Sequence, residues 1–199
     1  MIATILAAFL AAKGAAPLPP VPAFTSIDLC AFSRLEAALG GLSGWRDLGP
    51  AAAGNPFLAT ELESILPGYR LAFVHEESLG LLLVGGARLA DIPPAGEAGA
   101  RYWDEAARET EAACAEEALS CVVETLGEGA GGLVASSRLT EEGEQYRRET
   151  LAFIGADRCS YQLQFTTPET ALSEEGWSRL RATLDQLRHV MAQAAPFAE

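Results

Sequence analysis

Residues 159–166, CSYQLQFT, alternate apolar and polar side chains along their whole length. Successive side chains of a β-strand point to opposite faces of the sheet, so this alternation predicts a strand with one buried and one solvated face. The buried face is expected to carry Cys159, Tyr161, Leu163 and Phe165, and the wet face Ser160, Gln162, Gln164 and Thr166. The preceding GADR sequence is typical of a hairpin turn.

Other segments with the composition of strands are separated by turn-like sequences. They are residues 69–77, 79–89, 120–127, 132–139 and 145–154. The last three and residues 159–166 follow one another with short connections, which predicts an antiparallel meander. The glycine-rich residues 127–132 are interpreted as a hairpin turn, because a strand rather than a phosphate-binding helix N-terminus is expected to follow them.

Further segments have the three-to-four-residue apolar spacing of amphipathic helices. Residues 173–193 place Trp177, Leu180, Leu184, Leu187 and Met191 on one face, with Ser173 in position to cap the helix. Helices are also expected around Trp103 and over residues 26–39, while residues 43–56 have the composition of a loop and residues 56–66 that of a short helix. The predicted fold class is α+β, an antiparallel β-sheet meander packed against two or more α-helices.

This order of elements resembles the back half of the PsbP-like fold, which DcrB-type periplasmic proteins share. The resemblance rests on residues 136–169, SSRLTEEGEQYRRETLAFIGADRCSYQLQFTTPE, followed by residues 177–187, WSRLRATLDQL. In this family a similar hairpin leads through an F-T-x-P sequence, here residues 165–168, into the final helix. Members are largely non-enzymatic accessory or binding proteins. The resemblance, over roughly the second half of the chain, therefore implies a non-enzymatic function and carries over no site residues.

The first residues have the pattern of an export signal. Residues 2–12 are uncharged and apolar except for Thr4, and small residues and prolines follow. Secretory signals have an apolar core of about 7–15 residues and a small-residue cleavage site, so residues 1–14 are predicted to be a signal peptide, although no Lys or Arg precedes the core. Residues 15–25 are then a proline-rich linker and residues 26–195 a single α+β domain. The alternative is an N-terminal core helix; the run is too short for a membrane span, which needs about 20 residues.

The four cysteines, Cys30, Cys114, Cys121 and Cys159, form an even set, which in an exported protein indicates two disulfides with three possible pairings. Cys114 is expected near a helix end and Cys121 at the start of a strand, so a short turn brings them within bonding range. That pairing leaves Cys30 with Cys159. Free buried thiols are the alternative. The spacing favours neither a Cys-x-x-Cys dithiol nor a zinc site.

The formal net charge of the 199-residue chain is −13. Such a chain repels nucleic acid and anionic lipid surfaces, whereas a cationic partner is compatible with its charge.

His75 is the residue that the sequence offers for catalysis. It precedes Glu76 and Glu77 and could act as a general base oriented by a carboxylate. The favoured interpretation is a strand-end histidine without catalytic function, and no residue is assigned to catalysis, a cofactor or a metal. The arginines Arg138, Arg147 and Arg148 are expected to form surface ion pairs with Glu142, Glu144 and Glu149, with Arg147 and Arg148 on opposite faces of a strand.

The sequence thus predicts an exported, non-enzymatic envelope protein, periplasmic or secreted. It is expected to bind a protein partner or a small ligand through the sheet face or a helix–sheet groove. The first alternative is a periplasmic hydrolase that uses His75 with the neighbouring acids, and the second is a purely structural cell-envelope protein. No nucleic-acid partner, cofactor or stable membrane span is expected.

Overall fold

The computed structural model describes residues 30–89, 97–116, 119–126, 131–141 and 143–192. The predicted signal peptide, residues 1–14, and the predicted linker, residues 15–25, lie outside the described residues. Within the described part, one antiparallel sheet packs against helices on both of its faces, which confirms the predicted α+β class.

The sheet has seven strands in the described part of the chain, in the order β1-β2-β3-β7-β6-β5-β4. The strands are β1 (Trp45–Asp47), β2 (Tyr69–His75), β3 (Gly80–Arg88), β4 (Ser120–Leu126), β5 (Gly132–Glu141), β6 (Glu144–Ile154) and β7 (Cys159–Pro168). All neighbouring strands pair antiparallel. Strands β4 to β7 form the predicted meander, and β7 joins it to the β2–β3 hairpin by pairing with β3.

The helices in the described residues are α1 (Phe32–Gly40), α2 (Gly49–Gly54), α3 (Pro56–Ile65), α4 (Glu97–Glu116) and α5 (Glu174–Ala192), with a short 3-10 helix, Glu169–Ala171, before α5. Side chains fix two of the starts. The side-chain oxygen of Asn55 accepts hydrogen bonds from the backbone N–H groups of Phe57 (3.1 Å) and Leu58 (3.3 Å) at the start of α3. Ser173 caps α5 as predicted, because its Oγ accepts a hydrogen bond from Gly176 N–H at 3.2 Å.

Different helices cover the two faces of the sheet. Helices α1 and α5 cover the face that we call the α5 face, where Leu35 and Trp177 share one core with Phe73, Leu151 and Tyr161. Helices α2, α3 and α4 cover the opposite face, called the α4 face, through two separate apolar clusters. One cluster joins α2 and α3 to the sheet, with Leu58, Leu62, Val74 and Leu83 among its members, and the other joins α4 to it, with Trp103, Ala106, Leu133 and Ile154.

The expectation that one face of β7 is wet was wrong for its inner residues. Gln164 and Thr166 expose only 2% and 3% of their surface. They lie on the α4 face, beside the two apolar clusters of that face. Alternation therefore distinguished a polar from an apolar face correctly, but a second layer of helices buries the polar face as well.

Residues 43–56, expected to be a loop, contain strand β1 and helix α2. Strand β1 is three residues long, which is too short to show a period of two. Helix α2, GPAAAG, begins and ends with glycine, and Pro50 in its first turn is compatible with a helix start. The backbone N–H of Leu48 donates a hydrogen bond to the carbonyl of Ala72 (2.8 Å), which holds this connection against β2.

Disulfides join Cys30 to Cys159 and Cys114 to Cys121, the pairing that the spacing predicted. The first ties the segment before α1 to the start of β7. The backbone N–H of Ala31 reinforces it by donating to Asp157 Oδ2 and to the Tyr161 hydroxyl, both at 2.8 Å. The second disulfide ties the end of α4 to β4. None of the helices in the described residues is long and apolar enough to cross a membrane.

Candidate functional site

A groove of about 180 Å³ opens on the α5 face between helix α5 and strands β4, β5 and β6. Its apolar lining consists of Leu126, Val134, Leu151 and Leu184. Its charged lining consists of Glu124, Glu149, Arg181 and Asp185. Apart from Thr150, each strand contributes residues of one parity to this lining, so the period of two along β4–β6 places these side chains together.

The groove leads onto the outer edge of the sheet. Val122 shares a strand face with Glu124 and Leu126, two and four residues further on, and it exposes 60% of its surface. Leu126 and Val134 are partly buried against the core that α5 covers. The apolar surface therefore continues from the core, through the groove, to the exposed edge strand β4.

Glu149 forms the charged floor of the groove, with a side chain that is only 1% exposed. Its Oε1 accepts hydrogen bonds from Arg147 Nε (3.0 Å) and Arg181 Nη2 (2.9 Å), and its Oε2 accepts one from Ser136 Oγ (2.6 Å). The hydrogen bond to Glu149 is the main cause that raises the pKa of Arg181. A buried carboxylate with this many donors is a compensated structural charge, which fixes α5 to β5 and β6.

Arg147, the second arginine bound to Glu149, also contacts the start of α5. Its guanidinium carbon lies 4.3 Å from the centroid of the Trp177 ring, a cation–π contact, and its Nη1 lies 3.6 Å from Glu174 Oε1. Arg147 thereby links β6 to the first turn of α5. The charged groups of the floor are thus paired within the protein. The groove presents to another molecule its apolar lining and the carboxylates of Glu124 and Asp185.

The expected ion pair between Arg147 and Glu149 is present, but the expectation of a ladder at the surface was wrong for two of its three arginines. Arg147 and Arg148 are both buried. They do lie on opposite faces of β6, as expected, with Arg147 beside α5 and Arg148 beneath α4. Arg138 stays at the surface, where its Nε is 2.6 Å from Glu169 Oε1. The period of two placed these side chains correctly by face, but it did not reveal that helices cover both faces.

His75 lies at the end of β2, packed among aromatic rings. The centroid of its ring is 5.0 Å from that of Trp45 and 6.3 Å from that of Phe165. Burial lowers the pKa of His75, and the charges of Glu77 and Glu76 oppose this effect to a smaller extent. The neighbouring acids therefore act on the imidazole through their charge.

The hydroxyl group beside His75 belongs to Ser78, in the turn between β2 and β3. Its Oγ is 2.9 Å from His75 Nδ1 and accepts a hydrogen bond from Gly80 N–H at 3.2 Å. Its carbonyl accepts a hydrogen bond from Thr167 Oγ1 at 3.0 Å. A serine nucleophile must reach its substrate, whereas Ser78 is only 4% exposed and holds a turn. This geometry supports the strand-end interpretation of His75 over the hydrolase alternative.

The four cysteines form two disulfides, and none of them lines the groove. Among the described residues, no three His, Cys, Asp or Glu side chains are placed to hold a metal ion.

Sequence reasoning missed the roles of Glu149 and Arg181. The sequence did contain a sign that Glu149 is buried. Glu149 shares a strand face with Leu151 and Phe153, which both lie in the core. A buried charge needs a partner. The partner could not be found from the sequence, because Arg181 lies 32 positions further along the chain on another element.

Comparisons with known proteins assign no family. No protein-family model matches the sequence, and no curated protein matches it significantly.

Solved structures that resemble part of the chain include a crystal structure from Bacteroides thetaiotaomicron, with 13% identity and a TM-score of 0.36 over 68% of this chain and 39% of that chain. The chain thus spans about two fifths of that structure's length. The Saccharomyces cerevisiae Ran-binding protein Mog1p matches with 10% identity and a TM-score of 0.32 over 64% of this chain and 84% of its own. A mutant of Mog1 matches with 9% identity and a TM-score of 0.30 over 64% and 85%. Similarities this low carry no argument about function.

Proposed function

We propose that this protein is an exported, non-enzymatic binding protein. Its groove on the α5 face takes one apolar side chain from a basic segment of a partner protein. The observation that carries the proposal is the groove itself, which combines an apolar lining with carboxylates and continues onto the exposed edge strand β4.

The volume of the groove favours a side chain over a whole small molecule. Pockets for drug-sized ligands typically measure about 300–1,000 Å³, whereas an apolar cavity of about 150 Å³ is enough to hold a benzene ring. The groove measures about 180 Å³. One leucine or phenylalanine side chain fits this space, lined by Leu126, Val134, Leu151 and Leu184.

The charge of the groove favours a basic segment around that side chain. The lining has three carboxylates, Glu124, Glu149 and Asp185, and one guanidinium, Arg181. Glu149 is compensated by Arg181, and Asp185 also accepts a hydrogen bond from Arg188 Nε at 2.8 Å. Glu124 is therefore the foremost contact for a partner's Lys or Arg. The net charge of −13 would also speed the approach of a basic partner.

The two disulfides support export, because disulfides persist in oxidising compartments outside the cytosol. We include residues 1–14 as the signal peptide in this proposal, and a periplasmic or secreted location. Kinship with the PsbP-like and DcrB-like proteins is part of the same proposal. Its support is the order of elements α4, β4–β7 and α5 in the second half of the chain.

Titration with labelled peptides tests the function. The probes are fluorescein-labelled nonapeptides with a central leucine or phenylalanine flanked by arginines, and the same peptides with glutamates in place of the arginines. Fluorescence anisotropy is measured for the wild type, Glu124→Gln and Glu111→Gln. Glu111 is an exposed residue of α4, outside the groove, and its substitution changes the net charge by the same amount.

The expected result is binding of the arginine peptides alone, weakened about 3–10-fold by Glu124→Gln and unchanged by Glu111→Gln, with an affinity that falls as salt is added. Equal binding of both peptide sets, or equal effects of the two substitutions, would contradict a groove that selects basic segments.

A further inference from the structure

A second, smaller cavity lies on the α4 face, between α4 and strands β5, β6 and β7, with a volume of about 30 Å³. It lies beside the two apolar clusters of that face and differs from both, because six of its ten lining residues are polar. The polar residues that line it include Thr110, Ser137, Arg148, Thr150, Gln162 and Gln164. The Cys114–Cys121 disulfide forms part of its wall.

The side chain of Gln164 is the reason to expect a ligand in this cavity. It is 98% buried, since only 2% of its surface is exposed, and its Nε2 has no hydrogen-bond partner among the described residues. Leaving a buried amide donor unsatisfied costs about 1–3 kcal/mol. Such a donor in a polar cavity is satisfied by a molecule or ion that the protein takes up.

The lining of the cavity favours an anion. Among the described residues that line it, Arg148 is positively charged and none is acidic. A guanidinium has five N–H donors, so Arg148 can serve the cavity while it also interacts elsewhere. The hydroxyls of Ser137 and Thr150 can donate as well. A halide ion accepts from all these donors at once. A water molecule is the competing occupant, because the hydroxyl and amide oxygens of the lining accept its hydrogens, and the crystal described below distinguishes the two.

The size of the cavity limits the anion. On the same measure of volume about 10–15 Å³ is enough for one water molecule, so a cavity of about 30 Å³ has room for a small monatomic ion. We propose that this cavity is a binding site for a single halide ion, chloride under physiological conditions, held by Gln164 Nε2 and Arg148 beneath α4. The site lies on the opposite face of the sheet from the groove, and Thr150 of β6 lines both.

Two measurements on the disulfide-bonded protein test the proposal. The first compares the unfolding temperature in sodium chloride, sodium bromide and sodium gluconate at equal ionic strength. An ion present at ten times its dissociation constant is expected to raise Tm by roughly 3–6 °C in a domain of this size. The second is a crystal grown in bromide, in which an anomalous peak is expected within hydrogen-bond distance of Gln164 Nε2.

Gln164→Leu removes the donor and keeps the volume approximately, so it should fold and lose the halide-specific rise in Tm. Gln145→Leu, at an exposed position of neighbouring strand β6, should keep the rise. The proposal is overturned if the wild type shows no halide-specific rise, or if the cavity holds a water molecule in the bromide crystal.

Discussion

Glu149 is the residue on which the geometry of the groove most depends. It joins Arg147 of its own strand to Arg181 of α5, in a position with almost no solvent. The attraction between such charges roughly offsets the cost of burying them, but removing one partner leaves the others buried without compensation. Glu149 therefore helps to hold α5 in place on the sheet, a role that the surrounding sequence, ETLAF, does not indicate.

Glu149→Ala is expected to lower the free energy of unfolding by about 3 kcal/mol, because Arg147 and Arg181 lose their shared acceptor. Urea denaturation measures this change. The matched control is Glu175→Ala, which breaks an exposed pair with Arg179 (2.8 Å) and should cost at most about 0.5 kcal/mol. Similar losses in both variants would show that the buried network contributes no more than a surface pair.

His75 gives the protein a predictable pH dependence. Burial lowers its pKa in the folded state below the unfolded value of about 6.5. As the pH falls below that value, the unfolded state takes up the proton first, so stability falls until the folded pKa is passed. The stabilisation from a neutral His75 is therefore present above the unfolded pKa and is lost as the pH decreases.

The His75→Gln variant removes this titration. The difference in unfolding free energy between wild type and variant should shrink between pH 8 and pH 5, measured by urea denaturation at fixed ionic strength. His189→Gln, at an exposed position of α5, serves as the comparison for loss of an imidazole. A difference that widens as the pH falls would mean that the folded protein favours the charged imidazole.

At the residue scale, the sequence predicted the face on which a side chain lies better than its exposure. It assigned Arg147 and Arg148 to opposite faces and Gln164 to the polar face of β7, in agreement with the structure. It could not indicate that all three are buried. Burial of a polar face depends on helices from distant parts of the chain, which a local period does not encode.

At the element scale, the two disulfides differ in the length of chain that they close. Cys30–Cys159 spans 129 positions and Cys114–Cys121 spans 7. In the chain-entropy account, a cross-link stabilises by restricting the unfolded chain, and more so for a longer loop.

The double variant Cys30→Ser/Cys159→Ser is accordingly expected to lose about 5 kcal/mol of unfolding free energy, and Cys114→Ser/Cys121→Ser about 2 kcal/mol. Denaturation of both variants beside the oxidised wild type measures the two losses. A larger loss from the short-loop pair would show that local packing of α4 on β4, rather than chain entropy, dominates its contribution.

The long elements could be predicted from the sequence because their periods are clear. Strands β2 to β7 and helices α4 and α5 were expected close to where they lie. Strand β1 and helix α2 were missed, since three residues and a glycine-bounded GPAAAG carry no usable period. A groove between a helix and the sheet was expected from the sequence, but its position was not. Its lining comes from three strands and a helix that only the folded structure brings together.

For the whole molecule, export predicts that the signal peptide is removed and that both disulfides are formed. The protein purified from its native host should have a mass that lacks residues 1–14, with four thiols that react with an alkylating reagent only after reduction. Intact mass spectrometry with and without reduction checks both. A chain that keeps its first 14 residues and has four free thiols would contradict export.

We expect the groove beside β4 to bind a basic segment of a partner. Photo-crosslinking in the native host tests it most directly, with p-benzoylphenylalanine at Val122, 60% exposed beside the groove, or at Phe57, 66% exposed on α3. We expect that the crosslinker at Val122 alone captures one partner, that the crosslinked peptide carries Lys or Arg around an apolar residue, and that Glu124→Gln reduces the yield. Capture of the same proteins from both positions, or an acidic crosslinked peptide, would contradict it.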